Sequence, residues 1–167
     1  NMFLFDIPPG GSTSPQRHLY EEVVYVLEGS GSTQLELADG SKRSFEWGEG
    51  ALFPIPMNVM HRLVNGGREP ALVFAMTNAP VVMEAFPNMD FIFNCDHRFT
   101  DVYAGQADFF APGQKRERDA AGYQMRNNRW YTNFIPDVRN AFLDDANSKV
   151  AGGQLTFFYM AGGVSSH

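Results

Sequence analysis

Cysteine occurs once in the 167 residues, at Cys95, so no disulfide can form within the chain and a thiolate metal framework is excluded. A lone thiol suits a reducing compartment, and the expected location is cytoplasmic. Basic residues are also scarce: 13 Lys and Arg face 19 Asp and Glu, for a net charge of -6. Binding to phosphate backbones needs clustered cations, and the one basic cluster, Gln114 to Asp119 (QKRERD), is interleaved with two acids and reads as a solvated loop. No nucleic-acid partner is expected. No apolar run approaches the ~20 residues that cross a bilayer, so no membrane partner is expected either. A glycine loop for phosphates and a nucleophile–base pair are both missing. The chain opens at Asn1 without an initiator Met and ends on an aromatic strand, and the expectation is that further chain precedes and follows it.

What is present points to strands. Fifteen Phe, ten Pro and sixteen Gly leave little room for long helices, while 44% hydrophobic content is enough for one sizeable core. Residues 2–77 alternate apolar and polar positions in MFLFDI, EEVVYVLEG, STQLELA, SKRSFEW, ALFPIP, HRLVN and ALVFAMT. Turn residues separate these runs at Gly10-Gly11, Gly29-Ser30-Gly31, Asp39-Gly40, Gly48-Glu49-Gly50 and Gly66-Gly67. Strands and turns at that spacing indicate an all-β sandwich or barrel over residues 1–78. Asp39-Gly40 reads as a two-residue hairpin turn with positive φ at both positions. Residues 79–152 lose the alternation and read as a long connector with little regular structure. Residues 153–167, beginning GQLTFFYMA, read as a strand belonging to a second barrel or to a contact between chains.

Strand parity puts Gln16, His18, Tyr20, Glu22, Val24 and Val26 on one face, polar at the start and apolar at the end. The same parity aligns Val59, His61, Leu63 and Asn65 on another strand. His18, Glu22 and His61 could therefore converge. Two imidazoles and a carboxylate are the donor set of non-haem iron sites and also suit manganese, nickel or zinc. The alternative for each is a hydrogen-bonded polar residue at a barrel rim that holds no ion. Tyr20 either donates to a bound oxyanion or fills the mouth of the barrel. Arg62 falls on the opposite face from His61, and His97 and His167 have no partner at useful spacing. Phe53, Phe74, Met57 and Met76 are wall or core.

The spacing of these residues resembles the cupin superfamily. Its first motif runs Gly, five residues, His, any, His, three or four residues, Glu, six residues, Gly; here Gly10, Gln16, His18, Glu22 and Gly29 stand at those positions. Its second motif, Gly, five residues, Pro, any, Gly, two residues, His, three residues, Asn, is matched by Gly50, Pro56, Asn58, His61 and Asn65. Two residue types depart. Asn58 stands for a turn glycine, a mild change because Asn tolerates positive φ. Gln16 stands for the first metal histidine, and a neutral amide is the weaker donor.

The layout resembles the first half of a two-barrel cupin. The resemblance implies a jelly-roll barrel, a divalent metal (iron(II), or manganese, nickel or zinc) on His18, Glu22 and His61 with Gln16 nearby, and a dioxygenase acting on a small organic acid or aromatic compound. It equally implies two alternatives. One is a degenerate, non-catalytic barrel serving as the scaffold or dimerisation half of a bicupin; the other is a metal-free module that binds a small metabolite. The expected partners are a small-molecule substrate and either a second copy of the chain or the remainder of a longer one.

Overall fold

The computed structural model describes residues 1–111 and 133–139. Seven strands follow one another: β1 (Met2–Ile7), β2 (Glu22–Glu28), β3 (Gly31–Glu36), β4 (Lys42–Trp47), β5 (Leu52–Ile55), β6 (Met60–Val64) and β7 (Ala71–Thr77). They form two antiparallel sheets, ordered β1-β7-β2-β5 and β4-β3-β6. This is the all-β architecture that the alternation implies, consistent with the jelly roll that the resemblance implies.

Period-two patterning decides which side chains face inward. In β2, Glu22, Val24 and Val26 are buried; in β7, Ala71, Val73 and Ala75 are. The two sheets close on a core of Ile7, Val24, Val26, Trp47, Ala51, Phe53, Ile55, Leu63, Ala71, Val73 and Phe134. Burying a residue of Val to Phe size stabilises by roughly 1.5–3 kcal/mol, which makes this cluster the main source of stability. The polar edge of Trp47 is satisfied by donation from Nε1 to Thr33 Oγ1 at 3.1 Å.

Two local expectations are corrected. The β3–β4 connection is a five-residue loop over 37–41, with Glu36 paired to Lys42 and Leu37 N–H donating to Ser41 O. Only Gly40 has positive φ (79°), while the Asp39 side chain accepts from Ser41 N–H. A side chain that bonds two residues ahead offers an alternative to the tighter turn, and Asp39 takes it. Residues 16–22 are likewise not one strand. Ser12 and Gln16 bridge to Val64 and His61 of β6, in the three-stranded sheet, whereas β2 starts at Glu22 in the other sheet. The chain crosses between the sheets over residues 17–21.

After β7 the connector region contains two short helices, α1 (Ala79–Ala85) and α2 (Met89–Asn94). Asn88 caps α2 by accepting from Phe91 N–H at 3.0 Å. Residues 133–139 return to the barrel: Ile135 and Leu52 exchange two backbone bonds of 2.9 Å, and Val138 N–H donates to Gly50 O at 2.8 Å. This segment runs along the open side of β5. No helix among the described residues is long and apolar enough to cross a membrane. The strand read over residues 153–167 lies outside the described residues.

Candidate metal centre

His18, Glu22 and His61 meet in the interior, only 1%, 4% and 2% exposed. Their ligand atoms all lie within 4.8 Å of one another. The crossing of the chain between sheets makes this possible. His18 sits on the crossing, Glu22 opens β2 on one sheet, and His61 lies in β6 on the other, with Gln16 N–H and O both bonded to His61 at 2.9 Å.

The hydrogen bonds define the electronic state of each ring. His18 Nδ1 lies 2.9 Å from Tyr20 O and His61 Nδ1 lies 2.9 Å from Val59 O. A carbonyl only accepts, so both Nδ1 atoms carry hydrogen and, in the neutral rings, both Nε2 atoms present lone pairs. His18 Nε2 is 2.9 Å from Glu22 Oε2; His61 Nε2 is 3.8 Å from the same oxygen and has no hydrogen-bond partner. Two imidazole lone pairs and a carboxylate oxygen therefore converge, and only a positive species between them relieves the arrangement. It can be a proton shared by His18 and Glu22, or a metal ion that takes all three. An orphaned, fully buried Nε2 fits the metal, as does the anchoring of each ligand ring by its other nitrogen.

Burial first, and then the neighbouring His18, push the His61 pKa down to about 4. The ring is thus neutral and available as a donor at ordinary pH. Tyr20 stacks flat on His18, with ring centroids 3.7 Å apart at 3°, and Phe93 of α2 stands edge-on to Tyr20. Tyr20 therefore holds His18 through its ring and its carbonyl together. Burial and the nearby Glu22 charge raise the phenol pKa, which keeps the hydroxyl protonated.

Asn58 takes the left-handed conformation (φ 56°) that its place in the second motif implies. Gly10, Gly29 and Gly50 have positive φ as well, so the four turn positions of the two motifs share one backbone requirement. Asn58 does more than tolerate the turn: its buried amide donates to Cys95 O at 2.9 Å and to His97 O at 2.6 Å. The same stretch accepts from Leu19 N–H at Ile92 O and from Arg17 Nη2 at Asn94 O. Residues 92–97 thereby tie together the two turns that carry His18 and His61. Sequence reasoning missed this belt because backbone carbonyls have no side-chain signature. Asn65 is buried and ties the end of β6 to Ile7 O and Glu69 O, a structural role.

Gln16 stands opposite His61 but is exposed, and its amide makes no hydrogen bond to the described residues. Arg62 is exposed and donates to Gln34 Oε1 at 2.8 Å, away from the cluster as parity requires. Phe53 is core, fully buried, while Met57, Phe74 and Met76 are half-buried.

The family model of the cupin domain matches residues 3–77. This barrel is a cupin domain. Among solved structures, the chain is similar to the 7S globulin of Momordica charantia at 18% identity and TM-score 0.42, over 46% of this chain and 22% of that one. It is similar to an oxalate oxidase bound to the substrate analogue glycolate at 21% identity and TM-score 0.43, over 52% and 56%. It is also similar to Peruvianin-I, a cysteine peptidase from Thevetia peruviana latex, at 28% identity and TM-score 0.43, over 46% and 48%. The alignment spans about a fifth of the length of the globulin and about half that of the other two. No curated protein sequence matches the chain.

Proposed function

We propose that the cupin domain is a metal-dependent oxidoreductase, a dioxygenase acting on a small organic acid, with His18, Glu22 and His61 as the ligands of iron(II). The observation that carries this reading is the unpartnered Nε2 of His61, buried 3.8 Å from a carboxylate oxygen that His18 also approaches. Leaving a polar atom buried without a partner costs on the order of 1–3 kcal/mol, a cost that a bound ion would remove.

The ligand set also bears on the substrate. Two neutral imidazoles and one carboxylate leave a divalent ion with a net positive charge, which favours an anionic ligand such as an organic acid over a neutral aromatic compound. When bound, the metal would supply open coordination positions that polarise substrate and dioxygen. The surrounding residues perform the rest. Tyr20 O and Val59 O hold the Nδ1 hydrogens and so keep both Nε2 lone pairs aimed at the centre. Burial of all three donors excludes bulk water and strengthens their charge interactions. Tyr20, protonated and packed on His18, resists rotation of that ring.

One observation favours a second reading. The Gln16 side chain is exposed and makes no hydrogen bond to the described residues, so the side chain where the motif has a histidine adds nothing to the cluster, as in a degenerate barrel that serves as a scaffold in a bicupin. Elemental analysis of protein purified without added metal, followed by calorimetric titration of iron(II) and manganese(II), separates the two. The expected result is one ion per chain in the parent and none in His61→Ala. A parent that takes up no ion, with His61→Ala changing stability alone, refutes the metal enzyme and leaves the scaffold or a metal-free binding module.

A further inference from the structure

A cleft of about 180 Å³ lies between the β3–β4 connection at residues 36–39, the turn at residues 58–59 and the segment over residues 98–104. None of His18, Glu22 and His61 lines it. A cavity of roughly 150 Å³ holds a six-membered carbon ring, so this one has room for a molecule of about six to ten heavy atoms.

The walls are tied together within the chain itself. Arg43 Nε donates to Gly105 O at 3.4 Å, and Leu37 packs against Gly105 where a Cβ would stand, so the loop is joined to the segment. Asn58 Nδ2 and Arg98 Nη1 both donate to Cys95 O and His97 O, which joins the segment to the turn. Tyr103 N–H donates to Phe99 O at 3.0 Å and places Tyr103 one turn beyond Phe99. A ligand entering such a cleft has little of its walls to order.

Four polar side chains of this cleft are left without a counterpart. Asn58 is 1% exposed and its Oδ1 has no hydrogen-bond partner, since Nδ2 of the same amide makes both bonds. Tyr103 is 4% exposed; its hydroxyl is unbonded yet is not among the sealed polar atoms, so the little surface that Tyr103 shows includes the hydroxyl and faces the cleft. Arg98 spends Nη1 on the two carbonyls, while its other N–H groups make no hydrogen bond to the described residues and it forms no ion pair with them. Asp39 accepts from Ser41 N–H and is likewise in no ion pair among the described residues, whereas Glu36 at the same rim has Lys42 at 4.0 Å.

The cleft therefore offers one cation and one anion that do not pair with each other, together with a buried acceptor and a buried hydroxyl. A ligand of single charge satisfies one of the two and leaves the other. A zwitterion satisfies both, and Phe99 gives its carbon body an apolar wall. We propose that this cleft binds a small zwitterion, an α-amino acid with a short apolar side chain, whose carboxylate is held by Arg98 and the Tyr103 hydroxyl and whose ammonium is held by Asp39 and Asn58 Oδ1. The site stands whether or not the three buried donors hold a metal, because it uses none of them.

The test is calorimetric titration of the full chain in chelator, which keeps a carboxylate from binding through a metal at His18, Glu22 and His61. L-Leucine is compared with 3-methylbutylamine and 4-methylpentanoate, each of which lacks one of its charged groups. Leucine is expected to bind at one site per chain, and each analogue about tenfold or more weakly. Asp39→Asn keeps an acceptor for Ser41 N–H, and Tyr103→Phe removes a hydroxyl that bonds nothing in the free protein. Both variants are expected to unfold in urea like the parent and to bind leucine about fivefold more weakly. A parent that binds no leucine overturns the proposal. Equal affinity for leucine and either analogue overturns it as well, and so does an affinity for leucine that neither substitution lowers.

Discussion

The two histidines of the centre reach the same carboxylate oxygen from supports of different kinds. His18 is positioned within its own neighbourhood: Nδ1 bonds the carbonyl two residues on, Nε2 meets the carboxylate four residues on, and Tyr20 covers the ring. His61 is positioned from a distance, by pairing of β6 with β3 and with Gln16, and by an Asn58 turn tied to residues 95 and 97. The consequence is a difference in electrostatic state. His18 has a partner at both nitrogens, whereas His61 is left with one unpartnered atom and a pKa lowered to about 4. Half of the centre is thus set by local sequence, and the half with the unsatisfied donor is set by the fold.

Acid should break that comparison on the His61 side with the largest effect. His61 has a folded pKa of about 4 against an unfolded value of 6.5, so between these values the unfolded chain binds the extra proton. The metal-free protein is therefore at full stability from this group above pH 6.5 and loses it as pH falls toward 4, by about 3 kcal/mol in all. Urea unfolding of chelator-treated protein at several pH values measures the slope. In His61→Gln the difference between pH 6.5 and 4 should shrink by most of that amount; an unchanged slope would mean that His61 is charged or accessible in the folded protein.

Asn58 gives the next largest effect, because two separable contributions meet there. Asn58→Gly keeps the left-handed backbone and loses the two bonds to Cys95 O and His97 O, at a net cost of about 1 kcal/mol per bond. Asn58→Ala loses both bonds and keeps a Cβ at φ 56° without the amide that lets Asn tolerate it, so it should lie roughly 1 kcal/mol below Gly. Chemical denaturation of both variants should rank parent, Gly, Ala in falling stability. If Ala matches the parent, the amide bonds to residues 95 and 97 contribute nothing and the belt does not couple the two turns.

What could be read in the sequence follows the same division. Alternation marked all seven strands, since in a two-sheet fold the period of two is a direct record of burial, and fixed spacing marked His18, Glu22 and His61. Asn58 could be placed at a positive-φ turn because so few residues tolerate that conformation. The belt over residues 92–97 and the strap over 134–139 were hidden, since both act through carbonyls and N–H groups that any residue supplies. Parity failed between Gln16 and Glu22 because it assumes an unbroken strand, and nothing in QRHLYE announces that the chain changes sheets. The two helices after β7 were too short to show a period.

The smallest effect tests whether the His61 side can be brought closer to the composition of the motif. Gln16 pairs with His61 across a narrow bridge, so a side chain at position 16 leaves the backbone on the same side of the pair as the His61 ring. Its side chain is exposed and makes no hydrogen bond to the described residues, so it lies outside the cluster. An imidazole at that position has a reason to turn inward, because a metal ion held by three donors keeps an open position for a fourth. Gln16→His is expected to tighten manganese(II) binding by about tenfold, equivalent to about 1.4 kcal/mol, without changing the stability of the metal-free protein. Calorimetric titration of parent and variant, paired with urea unfolding in chelator, reads both quantities. A gain in affinity shows that the site binds with three donors and one vacant direction toward residue 16. Equal affinity in both proteins would show that position 16 lies out of reach of the ion, and that the substitution in the motif changed the mouth of the barrel and left its centre alone.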